Sequence, residues 1–270
     1  MKRLPKFPDS CLLSFALVGS MIVILTILAL LTITLRQVTD LPYFISVATE
    51  SKVVDAILLT MVAGLNAVVL LLIFGIPLAY ILARTEFRGK GLVESIVDIP
   101  VMLPHTIAGI MVYILFMRRG IIGEPFSQIG IIFEGAYPGI VAAMFFVSSP
   151  YFVNAVRDGF EKVPVHMENA ARTLGASRFQ AFRLVVLPLS LRHIFNGSIL
   201  AWGRGIGEFA AIIMIAYYPM VISTLIYYKF TTAGLRESTA VAFAMILVCL
   251  VVFAILRILM KRVGKYDDRV

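Results

Sequence analysis

Apolar residues in this chain come in long blocks, not at the short periods of a half-buried strand or a surface helix. Residues 12–35 run for 24 positions without Asp, Glu, Lys or Arg, and 56–83, 99–117, 135–156 and 238–256 run for 28, 19, 22 and 19. About 20 apolar residues in a helix cross the hydrocarbon core of a bilayer. Backbone polar groups find no partner in lipid, so such blocks are read as helices. A sixth block, 190–218, has Arg192 near its start and is interrupted by Arg204 and Glu208. The pattern predicts an all-α integral membrane protein with six transmembrane helices. The first block follows Lys2, Arg3 and Lys6, as a signal peptide would. It is longer than the roughly 7–15-residue apolar region of such a peptide, and no small-residue cleavage site follows, so it is read as a retained span.

Composition excludes a water-soluble globule. Hydrophobic residues make up 60% and charged residues 15%, against roughly 45–50% and 25% in soluble domains. The formal charge of +8 would suit nucleic acid, but the basic residues are sorted by position. The N-terminus, the 2–3 and 4–5 connections and the C-terminal tail, with Arg192 just past the 4–5 connection, hold 17 of the 24 Lys and Arg, and the alternate connections hold 6. Such an excess marks the cytoplasmic side. Both termini are therefore expected in the cytoplasm, and nucleic acid is not expected as a partner. Cys11 and Cys249 stand 238 positions apart and give no metal spacing and no disulfide framework. His105, His166 and His193 are too scattered for a metal site, so neither metal nor cofactor is expected.

The 4–5 connection, 157–189, is the most structured of the inner loops. Pro164 suits a first helical turn, because its missing N–H would have no partner there. A short helix over 165–174 follows, with Gly175 suited to its end. Ser177 and Gln180 form the pattern of a capping box for a second helix over 178–187. Pro188 stops or kinks that helix, and Ser190 can cap the fifth span. Small Ala170, Ala171 and Gly175 would let a partner approach closely. A solvated loop with ordinary punctuation is the alternative.

The stretch Glu168-Asn169-Ala170-Ala171-Arg172-Thr173-Leu174-Gly175, followed after nine residues by Val185-Val186-Leu187-Pro188, resembles the EAA signature of ABC importer permeases. Counted back from Gly175, the signature's Glu falls on Asn169, with Glu168 one place earlier, and Val185 stands for Ile. The resemblance implies a coupling helix between spans 4 and 5 that fits a cleft on a separate ATP-binding cassette subunit. Its residues would be Pro164, Glu168, Asn169, Ala170, Ala171, Arg172 and Gly175. No G-x-x-x-x-G-K-[ST] occurs in the chain, which agrees that ATP hydrolysis belongs to a partner.

Two further segments resemble the oxyanion branch of that family. Asp98-Ile99-Pro100-Val101-Met102-Leu103-Pro104-His105-Thr106-Ile107-Ala108-Gly109 is similar to the Leu-Pro-x-x-x-x-Gly segment of molybdate and sulfate permeases. Arg204-Gly205-Ile206-Gly207-Glu208-Phe209-Ala210-Ala211 is similar to their Arg-x-x-Gly-Glu-Phe-Gly-Ala segment, with Ala210 in place of Gly. Ala216-Tyr217-Tyr218-Pro219-Met220 with Leu225-Ile226-Tyr227 is most similar to archaeal-type molybdate/tungstate permeases. The resemblance implies a transport domain over 53–260, preceded by an N-terminus, first span and outer loop over 1–52 and followed by a tail over 261–270. Sulfate or thiosulfate is the alternative cargo, since tetrahedral dianions differ mainly in size.

Arg204 and Glu208 stand four apart, hence on one helix face. Each would cost about 2.5–3.5 kcal/mol facing lipid at a helix centre. They are expected to form an intramembrane ion pair that fixes packing, a carboxylate beside a pore being repulsive to a dianion; an anion-guiding Arg204 whose charge Glu208 moderates is the alternative. Pro77, Pro100, Pro104 and Pro150 allow bends. His105 is expected to be satisfied by an interior hydrogen bond. Thr106, Ser148 and Ser149 are candidate pathway residues, as are Asn154, Asn196 and Ser198, although helix–helix hydrogen bonds explain all of them as well. No tight substrate site is indicated, so affinity is expected from an external oxyanion-binding protein. One coupling segment per chain and the symmetry of oligomers predict a homodimer above two ATPase subunits. An intramembrane protease or a passive channel is the alternative from another class. Three histidines offer no H-E-x-x-H, and a channel has no use for the two-helix connection.

Overall fold

The computed structural model describes residues 10–267, so the basic N-terminus (1–9) and the last three residues (268–270), which enter the topology argument, lie outside the described residues. In chain order the helices are α1 (Ser10–Val38), α2 (Leu41–Ala48), α3 (Ser51–Arg84), α4 (Lys90–Met102), α5 (His105–Phe116), α6 (Gly123–Gln128) and α7 (Tyr137–Lys162). There follow α8 (Val165–Thr173), α9 (Arg178–Ala181), a π turn (Phe182–Val186), α10 (Leu187–Leu189), α11 (Leu191–Ile206), α12 (Ala210–Ile215), α13 (Ile222–Ala233) and α14 (Leu235–Asp267). No strand occurs among the described residues.

Four helices, α1, α3, α7 and α14, are long and apolar enough to cross a membrane, and up to six spans result if each of two bent pairs counts as one. The blocks at 99–117 and 190–218 are therefore not straight spans. The first of them falls on α4 and α5, bent by 114°. The cause is Pro104: a residue before proline is pushed out of helical conformation, and Leu103 is extended at φ −82°, ψ 144°. The second begins at another bend, of 70°, between the α9–α10 segment and α11, and runs on through α12. Here Ser190 takes the N-cap position of α11 without capping it. Its hydroxyl donates to the carbonyl of Gly159 instead, at 3.4 Å, so burial against α7 outcompetes the local cap. Pro77 and Pro150 sit inside the continuous helices α3 and α7.

The bundle is built around α7, whose partners are chiefly α3 and α11. Phe152, Val153, Val156 and Phe160 of α7 pack with Leu71, Ala79 and Leu82 of α3 and with Ile194 and Ala201 of α11. A second core joins Ile140, Ala143 and Met144 of α7 to Val112 of α5 and to Ile212 and Ile215 of α12. The α5–α12 crossing depends on Gly109. A Cβ there would lie 2.7 Å from the Cα of Ala211, so only glycine admits the approach. The two segments that resemble oxyanion permeases thus meet in space. At the other extreme, α1 packs chiefly along α14 and α2, and its most apolar stretch buries nothing within the described residues.

Candidate functional site

Three polar clusters interrupt the apolar bundle. The first lies where α3, α7 and α8 meet. Pro164 takes the N-cap of α8, directly after the carbonyl of Val163 that ends α7. From α3, Tyr80 donates its hydroxyl to Oε1 of Glu168 at 2.5 Å, and Arg84 Nε donates to Oε2 at 3.1 Å. Arg84 Nη2 also donates to the carbonyl of Val163 at 2.8 Å. Arg84 therefore grips both sides of the Pro164 joint. The Tyr80 ring packs edge-on against Phe160 and Phe182, at 5.8 and 4.7 Å between centroids. Glu168 is buried and faces its own chain. Asn169, Ala170, Arg172 and Gly175 are exposed, and Ala171 is half-buried. Beside the latch lies a cavity of about 830 Å³, lined in part by Tyr80, Arg84, Arg172, Arg178 and Phe179.

The chain then turns back. Gly175 has φ +96°, a conformation β-branched side chains resist. Ser177 accepts from the N–H of Gln180 at 3.2 Å, and its own N–H donates to the Gln180 side chain at 2.7 Å, completing the capping box. Large apolar side chains stand unburied on this surface: Leu174 is 90% exposed, and Phe179 and Leu184 are 69% exposed.

The second cluster sits at the α4–α5 bend. Arg204, near the end of α11, donates from Nη2 to Oε2 of Glu208 at 2.7 Å. The same nitrogen meets the His105 ring, 2.9 Å from Nε2 and 3.0 Å from Nδ1. Arginine has only donors, so one ring nitrogen accepts this bond. The other carboxylate oxygen of Glu208 accepts from the N–H of Ala211 at 2.8 Å, at the start of α12, and Glu208 is fully buried. Ser223 donates to the Glu208 carbonyl at 2.8 Å. His105 has a hydrogen-bond partner, Arg204, and stands at the half-buried edge of the charged pair, not in the interior.

Of the pathway candidates, Thr106 is exposed beside His105. Ser148 is fully buried against Gly205, and its hydroxyl has no partner among the described residues. Ser149 donates back to the Phe146 carbonyl at 2.9 Å, and Ser198 to that of Ile194 at 2.8 Å; both are spent within their own helices. Asn154 donates to Asp98 at 2.7 Å and ties α7 to α4. These two line a separate cleft of about 620 Å³ with Asn196 and His193. The candidates are thus not gathered in one place.

The third cluster closes the opposite end of α3. Lys229 of α13 donates to Glu50 at 3.1 Å and to Glu237 of α14. Burial works against its ammonium, but the hydrogen bonds to Glu237 and Glu50 outweigh it and hold the pKa above the ordinary lysine value. Arg236 pairs with Asp40 and lies 4.0 Å over the Tyr43 ring. No group of His, Cys, Asp and Glu among the described residues could hold a metal ion.

Comparison with known proteins places these features in context. Residues 75–265 match the family model described as "Binding-protein-dependent transport system inner membrane component". The molybdate/tungstate transport system permease protein WtpB of Thermococcus kodakarensis is 37% identical over 254 residues, covering 94% of this chain and 98% of that one. The molybdenum transport system permease protein ModB of Escherichia coli is 36% identical over 222 residues, covering 78% and 96%. The sulfate transport system permease protein CysT of Salmonella typhimurium is 32% identical over 248 residues, covering 90% and 89%. In fold, the chain is similar to a bacterial ABC transporter involved in the import of the acidic polysaccharide alginate, with TM-score 0.66, 21% identity and 96% of each chain covered.

Proposed function

From the premise that the chain belongs to the binding-protein-dependent transport system inner membrane component family, we propose that it is the membrane-spanning permease subunit of an ATP-driven ABC importer of tetrahedral oxyanions, molybdate and tungstate before sulfate. The observation that carries the cargo is the near end-to-end likeness to molybdate/tungstate permeases, at 37% identity over 94% of the chain. The chain is a multi-pass membrane protein and a transport subunit, not an enzyme.

The finer reading concerns how it works. The two bent pairs each count as one span, giving six, with both termini in the cytoplasm of a prokaryotic cell. Residues 53–260 form the transport domain. Helix α8 is the coupling helix, and Asn169, Ala170, Arg172 and Gly175 supply the face that enters a cleft on the ATPase. The exposed Leu174 and Phe179 support this, because large apolar side chains on a basic connecting segment call for a protein partner. Glu168 has a different part: bonded to Tyr80 and Arg84, it passes displacement of α8 into α3. Two copies of the chain share a pathway on a two-fold axis, above two ATP-binding cassette subunits and below an external oxyanion-binding protein.

The test is uptake into proteoliposomes holding this chain with its ATPase and binding protein, with molybdate, tungstate and sulfate in competition. Tungstate and molybdate should be taken up and should displace sulfate. Preferred uptake of sulfate would move the chain to the sulfate branch. A functional complex with a single copy of this chain would sink the dimer.

A further inference from the structure

We propose that the corner formed by Arg204, His105 and Thr106 is a low-affinity oxyanion station on the transport pathway, with Arg204 as the group that touches the anion and Glu208 as the group that keeps the contact weak. The inference deepens the permease reading and rests on it.

A guanidinium carries five N–H donors. All contacts of Arg204 run through Nη2, to Glu208 and to the His105 ring. The N–H bonds of Nε and Nη1 have no partner among the described residues. Neither atom is among the buried polar atoms that lack a partner, so both open onto accessible space. An arginine held for structure alone would be expected to use those donors on carbonyls, as Arg84 does on Val163. Here a cation is fixed on one side and left unspent on the other. Its neighbours have the same character. Once one His105 nitrogen accepts from Arg204, the other carries the ring proton and is a donor. Thr106 is exposed and its hydroxyl has no partner among the described residues.

Glu208 first appears to argue against an anion, but its placement answers the objection. It is 2% exposed, behind the guanidinium, and its second oxygen is taken by the Ala211 N–H. An arriving anion meets Arg204 first. The carboxylate then lowers the affinity without blocking access, which suits a pathway: a bound ion must be able to leave. The station stands at the 114° bend between α4 and α5, where the backbone is interrupted and α12 crosses at Gly109. The free N–H groups of Arg204 and the protonated nitrogen of His105 donate, the Thr106 hydroxyl can donate or accept, and the nearest carboxylate oxygen, on Glu208, stands 3.7 Å from His105 Nδ1. The ligand class is therefore a small, strongly hydrogen-bonding oxyanion.

The test is equilibrium binding of tungstate to the purified permease–ATPase complex without its binding protein, with sulfate as competitor. Arg204→Lys keeps a cation against Glu208 but loses the planar donor set. Glu208→Gln keeps the shape and the Ala211 contact but removes the charge. Affinity should rise roughly tenfold in Glu208→Gln and fall roughly tenfold in Arg204→Lys, as expected for charge-assisted hydrogen bonds. Thr106→Val, which touches neither ion, should weaken binding by a smaller factor and keeps the question open to measurement if Arg204→Lys does not assemble. Equal binding in all variants, a parallel loss in Arg204→Lys and Glu208→Gln, or no saturable binding in the wild type would overturn the station. Failure of the complete wild-type system to import any of the three oxyanions would instead overturn the permease reading.

Discussion

Two of the arginine–glutamate pairs in the chain put the same chemistry to opposite ends. Arg84 and Glu168 are 84 positions apart, and each side chain is about a tenth exposed, 10% and 11%. Every oxygen of that carboxylate is taken by α3, and Arg84 divides its donors between two elements. The pair is a joint. Arg204 and Glu208 are one helical turn apart, with the glutamate sealed at 2% and the arginine open at 19%. That pair fixes a charge and leaves part of it available. What separates them is how evenly the two partners are buried and whether the arginine also ties down a second element, as Arg84 does at Val163.

The comparison can be broken most sharply by removing one arginine. Arg204→Ala strands a buried carboxylate, which costs about 3–5 kcal/mol. Assembled complex should fall steeply, and the Arg204→Ala/Glu208→Ala double variant should recover much of it. A double variant no better than the single would show that the two do not act as a pair. Next in size is Glu168→Ala. Losing the bonds from Tyr80 and Arg84 should cost about 1–3 kcal/mol, but the larger effect should fall on coupling. Substrate-stimulated ATP hydrolysis per assembled complex should drop while all helices remain inserted. Normal stimulation would show that α8 moves α3 by another route.

Gly175→Val tests the same joint from its far side. The φ of +96° should cost the variant about 1–3 kcal/mol in local strain, confined to the turn. Membrane abundance should be near normal and transport poor. Wild-type transport would mean that the loop is merely solvated. The smallest effect belongs to Lys229, which serves as a reference for a purely structural cluster. Its pKa is raised on folding, so its stabilising contribution is complete below the ordinary lysine value and is lost only as pH climbs through the raised one. The difference in thermal midpoint between wild type and Lys229→Met should therefore stay constant from about pH 6 to 9. A difference that changes within that window would assign its control to another group.

How much of this was legible in the sequence depended on distance along the chain. Blocks of apolar residues announced the helices, and Ser177 with Gln180 announced the capping box, because both signals are local. Pro104 marked a break, but not its 114° angle, which is set by how α5 lies on α12 at Gly109. The i, i+4 spacing put Arg204 and Glu208 on one face; nothing local said that His105, 99 positions away, would close over them. Tyr80 and Arg84 escaped notice for a related reason. They end an apolar block and look like ordinary boundary residues until Glu168 folds back onto them. Glu168 itself was grouped with the exposed face of its helix, since one-dimensional spacing does not tell which side of a nine-residue helix turns inward.

The π turn at Phe182–Val186 carries a consequence for how such proteins diverge. A turn with i→i+5 bonding holds one residue more than the α-helix would need, and each residue rotates a helix by about 100°. Val186 and Ala181, on either side of that extra residue, are both fully buried, so the present phase is the one the core requires. Deleting a single exposed residue such as Leu184 would let the turn relax to i→i+4 bonding while Ala181 and Val186 stay in phase with the core, and Arg178 and Phe179 would keep their place beside the cavity at α8. A relative could thus be one residue shorter here and present the same faces on either side of the turn.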